Sequence, residues 1–600
     1  MGSFTTRPEI LGTFGVAATT HWLATATAMA VLEEGGNAFD AAVAAGFSLQ
    51  VVEPHLNGLL GDMTVLLARG SDGTPQVVCG QGVAPAAARL ERYRGLGLDL
   101  VPGSGLLAAV VPGAFDAWML LLRDFGTLPL RRVLMPAIAF AEQGFPLVPN
   151  ISGTIASVQQ LFEQEWSSSA AIWLPHGHVP PPGSLFTLPD LAATYRRILT
   201  EGEAAGSDRE RQIEAARSTF RGGFVAEAVD HFCRHARALD SSGRRHGGLL
   251  TGDDMARWEA TLEAPATYDY GGVTVCKTGP WGQGPVLLQQ LALLAGFDLA
   301  RLETAGAEFI HLVIECSKLA FADREAFYGD SPVPLGTLLS KDYNDTRRSL
   351  IGHDASLTLR PGDVPGFGAA PVERIRPTDA TVARHLGLGE PTVARFDEPM
   401  PTAAGATRGD TCHLDIIDRW GNMISATPSG GWLQSSPAIP EIGCCLGNRA
   451  QMFTLEAGRP SSLKPGKRPR TTLSPGLALR DGDPWLVFGT PGGDQQDQWA
   501  LHFLLRHLHH GLNLQEAIDA PGFNTAAFPN SFYPRESEPG HLAVEGRVPA
   551  AAQAELRRRG HRLEVGEDWS LGRMTAASKE GRLLKAAANP RFMQGYAIGR

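Results

Sequence analysis

The sequence lacks most of the features that place a 600-residue chain in a class at sight. It has only seven cysteines, Cys79, Cys233, Cys276, Cys316, Cys412, Cys444 and Cys445, scattered and with no C-x-x-C pair. That excludes a disulfide frame and a cysteine zinc site, and reads as reduced thiols. Basic charge is not in excess. The net charge is -10 and the isoelectric point about 6.0, so no field exists to neutralise phosphates and no nucleic-acid partner is expected. No run of about 18 uncharged apolar residues occurs, so no membrane span is expected. The opening "MGSFTTRPEILG" has no apolar core, which argues against a secretory signal and makes the cytoplasm the expected location. Its match to M-G-x-x-x-[ST] is to a pattern short enough to recur by chance. Also missing are G-x-S-x-G, the P-loop, H-E-x-x-H and G-x-G-x-x-G. His502, His507, His509 and His510 share a helix but lack metal-site spacing and a nearby carboxylate. They read as a solvated helix face, and neither metal nor cofactor is expected.

What is there is ordinary globular composition, 43% hydrophobic and 19% charged, over a length beyond one simple core. "HWLATATAMAVLEEGGNAFDAAVAAGFSLQVVEP" predicts two small-residue helices broken at Gly35-Gly36, the second stopping before Pro54. "HLNGLLGDMTVLLARG" passes through glycines into a strand, and "VPGAFDAWMLLLRDFG" and "LMPAIAFAEQGF" are helical. Residues 185–330 read as mainly helical. From 361 to 409 order fades among seven prolines, Pro361, Pro365, Pro371, Pro377, Pro391, Pro399 and Pro401, a composition that sustains neither helix nor central strand. A surface connector of that length usually has a task.

The pattern then sharpens. "TCHLDII" alternates with apolar Cys412, Leu414 and Ile416, a turn follows around Gly421, and "MISATP" returns as a second strand. "PWLVFGTPGG" is a strand running into paired glycines, and "DQQDQWALHFLLRHLHHGL" a helix with an apolar face.

These segments, in order, resemble the γ-glutamyltranspeptidase family of N-terminal-nucleophile hydrolases. "GGNAFDAAVAAGFSLQVVEPHLNGLLGD" is similar to its opening signature, and "AFADREAFYGD" and "LLSKDYNDTRRSLI" to the end of its large subunit. "DTCHLDIIDRWGNMIS" resembles the start of its small subunit, and "LKPGKRPRTTLSP" and "FGTPGGDQQ" its later active-site segments. The resemblance implies an α+β fold, a four-layer αββα sandwich built from two autoproteolytic fragments. Cleavage of Asp410–Thr411 would give a large subunit, 1–410, ending in a flexible connector at 361–410, and a small subunit, 411–600, carrying the nucleophile.

The chemistry asks for such a cut. A threonine hydroxyl is a weak nucleophile without an adjacent base. Freeing the α-amine of Thr411 supplies a base with a pKa near ~8. Cys412 points to the opposite face by alternation and reads as buried and inert. Gly492 and Gly493, at a helix start, suit an oxyanion hole. The family's supporting hydroxyl on the return strand leaves Thr427 and Ser429 as candidates, with Ser429 at the matching spacing.

The substrate positions depart from the family. Gln81 stands where the resemblance expects an arginine, and "LGNRAQMFTL" offers Asn448, Arg449, Gln451 and Met452 but no carboxylate. The family's paired serines become Thr471 and Thr472. A neutral amide does not replace a bidentate arginine clamp, so a free glutamyl head is expected to be poorly held. Arg449 either grips an anionic group on the substrate or makes a surface salt bridge. The reading is a self-processing amidohydrolase or acyltransferase on a small amide, similar to the oxamate-amidohydrolase-like branch. The alternatives are a true γ-glutamyltranspeptidase acting on glutathione and an uncleaved, inactive scaffold.

Overall fold

Two seven-stranded antiparallel sheets stack face to face in the computed structural model, which describes residues 4–375 and 411–600. The first takes, in spatial order, Tyr596–Gly599, Gly15–Thr19, Leu414–Asp418, Met423–Ser429, Asp62–Ala68, Pro75–Gly80 and Thr261–Glu263. The second takes Ile10–Gly12, Leu583–Ala588, Thr575–Glu580, Asp483–Gly489, Gly476–Arg480, Val273–Lys277 and Ala266–Tyr270. Three apolar cores define four layers. Phe39, Phe47, Trp118, Leu414 and Ile416 belong to a core between the first sheet and its helices. Leu288, Phe309, Phe488 and Leu504 belong to its counterpart on the second sheet. Val16, Leu66, Val77, Ile417, Met423 and Val487 lie in the core between the sheets. This is the α+β, αββα sandwich the resemblance implies.

The predicted helices form as Trp22–Glu33, Ala38–Val52, Ala114–Phe125, Leu130–Gln143 and Gln496–His510. Local chemistry sets their ends. Asn37 caps the second through the N–H groups of Phe39 and Asp40, and the Asp40 side chain accepts from Asn37 N, a reciprocal capping box. The N–H of Ala38 donates to Asp418 Oδ2 over 2.8 Å, which ties this helix start to the 414–429 hairpin. Close approach is bought with small residues: a Cβ on Gly46 would come within 2.3 Å of the Trp118 ring.

Residues 185–330 are mainly helical as expected, with three further strands at 261–277, Thr261–Glu263, Ala266–Tyr270 and Val273–Lys277. Their signal is the β-rich "ATYDYGGVTVCK" around the Gly271-Gly272 turn, where φ is 58° and 84°. Two expectations need correction. The histidines of helix Gln496–His510 are not a solvated face. His502 stacks on Phe523 at 3.7 Å, and His507, His509 and His510 bond Leu512 O, Tyr270 Oη and Leu302 O. Finally, the start of the connector is packed: Gly362 N donates to Asp323 Oδ1, Val364 is buried, and Arg374–Ile375 pairs with Glu536–Ser537. The stretch 376–410, Asp410 included, lies outside the described residues, as do Met1, Gly2 and Ser3. Among the described residues no helix is long and apolar enough to cross a membrane.

Burial leaves several histidines neutral. It pulls His21 and His561 down to about 3, and His55 and His502 well below the usual imidazole range. Below pH ~6.5 the unfolded chain binds protons that these folded sites refuse, so stability falls with pH from there towards pH ~3. Each such histidine contributes up to about 1.4 kcal/mol per pH unit in that window. Urea midpoints are expected to decline from pH 7 to pH 5, with a shallower slope in His502→Asn; equal slopes would contradict this account.

Candidate active site

The register of the first sheet lines up one end of four segments. Thr411 bridges Ser429, Ser429 pairs with Asp62, and Met63 pairs with Gly80, which carries Gln81 to the level of Asp62. Side chains of paired residues share a face. Thr411, Ser429, Asp62 and Gln81 therefore form a row on the face turned to the second sheet, and all four are buried. Thr411 Oγ1 lies 3.1 Å from Ser429 Oγ. Thr427, the other candidate hydroxyl, sits one row deeper and meets His413 Nδ1 at 2.8 Å instead. Cys412 faces the helices, where Asn57 Nδ2 and Glu53 contact its sulfur, and burial pushes its thiol well up.

Backbone contact fixes this end of the sheet. A Cβ on Gly61 would come within 2.2 Å of Ser429 O, so only glycine lets the two segments touch. From the second sheet, Gly489 ends its strand against the His413 ring, where an added Cβ would lie 2.3 Å away. The chain leaves Gly489 for Gly492 and Gly493, whose φ values of 129° and 56° favour glycine. Gly492 O accepts Gln495 N at 3.0 Å and Gly493 O accepts Gln283 Nε2 at 3.2 Å. A trans peptide sets N–H opposite C=O, so the N–H groups of Gly493 and Asp494 point the other way. A short 3-10 turn, Gly493–Gln495, then leads into the long helix and adds its positive end. Asp494 anchors the loop by accepting from Ser531 N and Oγ, both at 2.7 Å, and from Arg324.

Arg449 makes no surface salt bridge. It is buried, with Nε 2.8 Å from Asp62 Oδ2 and Nη2 donating to Asp62 Oδ1 at 3.0 Å. The carboxylate missing from the 448–452 segment thus arrives from another strand. Burial pushes the Asp62 carboxyl up and Arg449 pulls it back, the usual opposition in a buried ion pair. Gln81 Nε2 donates to Gly82 O at 3.2 Å, while its Oε1 has no partner among the described residues. Lys467 O accepts Ala84 N, and Thr471 O accepts Gln283 N, so the segment with Thr471 and Thr472 runs from beside Gln81 to beside Gly493. Thr471 Oγ1 accepts Leu473 N at 3.2 Å; the Thr472 hydroxyl is buried without a partner among the described residues.

Asp62, His413, Gln283 and Arg573 were not nominated by sequence. Asp62 was legible only as the acid closing "GLLGD"; Arg573, whose Nη2 donates to Thr411 O at 3.1 Å, has no sequence signal. Elsewhere, His311, Glu315 and His561 cluster as possible metal ligands, but Glu315 already accepts from Lys318 Nζ at 2.6 Å and Arg360 Nη2 at 3.0 Å. A divalent ion there would add to buried positive charge. A cleft of about 580 Å³ between Ile172, Phe186, Leu188 and Gly443 shares no residue with the Thr411 row.

The fold and this end of it define a class, the four-layer sandwich of N-terminal-nucleophile hydrolases. The comparisons place the chain within it. The gamma-glutamyltranspeptidase family model matches residues 24–599, and the chain belongs to that family. It is 30% identical to the acylase ACY 1 proenzyme of Pseudomonas sp. (strain SE83), over 92% of this chain and 88% of that one. It is 29% identical to the oxamate amidohydrolase proenzyme of Klebsiella pneumoniae subsp. pneumoniae, over 98% and 99%. Glutathione hydrolase proenzymes are among the relatives too. The solved structure of a threonine-to-alanine form of LmbA2991 superposes with a TM-score of 0.91 at 56% identity, covering 100% of both chains.

Removing the Asp62 carboxylate takes one charged partner from a buried guanidinium, a change that costs up to about 3–5 kcal/mol in such sites. Asp62→Ala is expected to lower unfolding free energy by that amount in urea titration. A loss below about 1 kcal/mol would mean the pair is not desolvated as described.

Proposed function

We propose that this chain is a self-processing amidohydrolase or acyltransferase that works through an acyl–Thr411 intermediate on a small amide. The observation that carries the reading is the Thr411 hydroxyl, just ahead of the strand Leu414–Asp418 and 3.1 Å from Ser429 Oγ. In the first step Thr411 Oγ1 attacks the Asp410 carbonyl carbon, and the peptide nitrogen leaves as the Thr411 α-amine. Water then hydrolyses the ester, freeing the Asp410 carboxyl group. The pieces have 410 and 190 residues. In turnover the α-amine accepts the hydroxyl proton as Oγ1 attacks the substrate amide, and returns it to the departing amine. Ser429 supports the nucleophile, and the N–H groups of the Gly492–Gly493 loop are the oxyanion donors. Water or an amine resolves the acyl ester.

A small amide other than a γ-glutamyl compound fits the substrate end better. An α-amino-acid head needs a cation for its carboxylate, whereas Gln81 is neutral and Asp62 already engages Arg449. The acylase and oxamate amidohydrolase names of the relatives support the same choice. Gln81, Arg449, Thr471 and Thr472 are proposed to line the substrate.

Denaturing electrophoresis and intact mass decide the first point. The wild-type chain is expected as two fragments meeting at Thr411, and Thr411→Ala as one chain of 64.0 kDa with activity lower by about a thousandfold or more. A single full-length wild-type band would favour an inactive scaffold. Rapid turnover of a γ-glutamyl anilide would instead favour the glutathione-hydrolase reading.

A further inference from the structure

One contact of Thr411 has no part in the reading above. Arg573 Nη2 donates to the Thr411 carbonyl oxygen at 3.1 Å, while the Arg573 backbone N–H donates to Thr490 Oγ1 at 3.2 Å. Thr490 stands two residues before Gly492. Arg573 therefore holds the candidate nucleophile and the root of the candidate oxyanion loop at once. The guanidinium lies over the Phe592 ring at 5.5 Å, and the residue is buried. A cation seated on a residue's carbonyl is also close to that residue's own nitrogen, where it disfavours a second positive charge.

Among the described residues the charged neighbours do not cancel it outright. Glu53 faces Arg573 and accepts from Thr20 Oγ1, Cys412 Sγ and Gln594 Nε2, but burial pushes its carboxyl up towards the neutral form. His55 and His21, from the same side, are held neutral by burial. The Cys412 thiol is pushed well up. Across Ser429, Asp62 is occupied by Arg449, and one row deeper His413 bonds Asp415.

We propose that Arg573 is a positioning residue that orients Thr411 and raises the share of its freed α-amine that is in the basic form near neutral pH. This rests on Thr411 being an N-terminal nucleophile. The position belongs to the 411–600 part of the chain, so the same contact is available before and after a cut.

The test is the pH profile of kcat/KM for wild type, Arg573→Lys and Arg573→Gln, each confirmed as cut and folded. In Arg573→Gln the acid limb is expected to move up by about one pH unit, giving a tenfold loss on the acid side. Arg573→Lys keeps the charge and is expected to keep the limb while losing several-fold in kcat through poorer geometry. The amine is also titrated directly in wild type, by the pH dependence of reductive methylation at Thr411 read by peptide mass. Half-reaction is expected below the ordinary ~7.7–8.0. An unmoved limb in cut, active Arg573→Gln overturns the inference. So does an amine titrating at or above the ordinary range, and that measurement decides if Arg573→Gln does not mature. An uncut wild-type chain removes the amine and overturns the N-terminal-nucleophile reading along with it.

Discussion

The structure depends on the register of one sheet. Thr411, Ser429, Asp62 and Gln81 meet because four neighbouring segments end together, and strand pairing permits no partial slip. A shift of one residue would turn Thr411 towards the helices and bring Cys412 into its place. Two devices hold the register. Gly61 lets its segment press against Ser429 with no side chain between, and Asp418, at the far end of the hairpin, caps the helix that begins at Ala38. The position of one hydroxyl is thus set from both ends of its hairpin.

Below that row the interior changes character step by step. His413, Thr427 and Thr64 form the second level, Asp415 and Ser425 reach the third, and Ile417 and Met423 begin the apolar core. The polar levels are knit to the second sheet: Thr575 Oγ1 donates to Asp415 at 2.5 Å and Ser425 Oγ to Phe488 O at 3.2 Å. Such a network is stable only when its members are satisfied together. Apart from the Thr64 hydroxyl, which has no partner among the described residues, partnered polar groups fill the space between the sheets beneath the nucleophile, which leaves Thr411 little freedom to tilt.

Much of this was legible in the sequence, and the reasons differ by element. The Gly35-Gly36 break, the 414–429 hairpin and the strand into Gly492-Gly493 announce themselves through turn chemistry and periodicity, which act over a few residues. Ser429 was found by spacing because it lies on the strand paired to Thr411. Asp62 and Arg573 were not, since they approach from segments 349 and 162 residues away in the chain and carry no local pattern. His502 misled for a related reason: a histidine on a helix looks polar in sequence, and only the layer stacked on it, with Phe523 at 3.7 Å, shows that it is enclosed.

The way the two parts of the chain share their sheets has one more consequence. In the first sheet Leu414–Asp418 lies between Gly15–Thr19 and Met423–Ser429, and in the second Val273–Lys277 is hydrogen-bonded to Gly476–Arg480. A break at residue 410 would leave two polypeptides woven strand by strand. They could not drift apart on dilution, because parting would mean unravelling both sheets. Separation and denaturation would be a single event, and a severed molecule would go on behaving as one body.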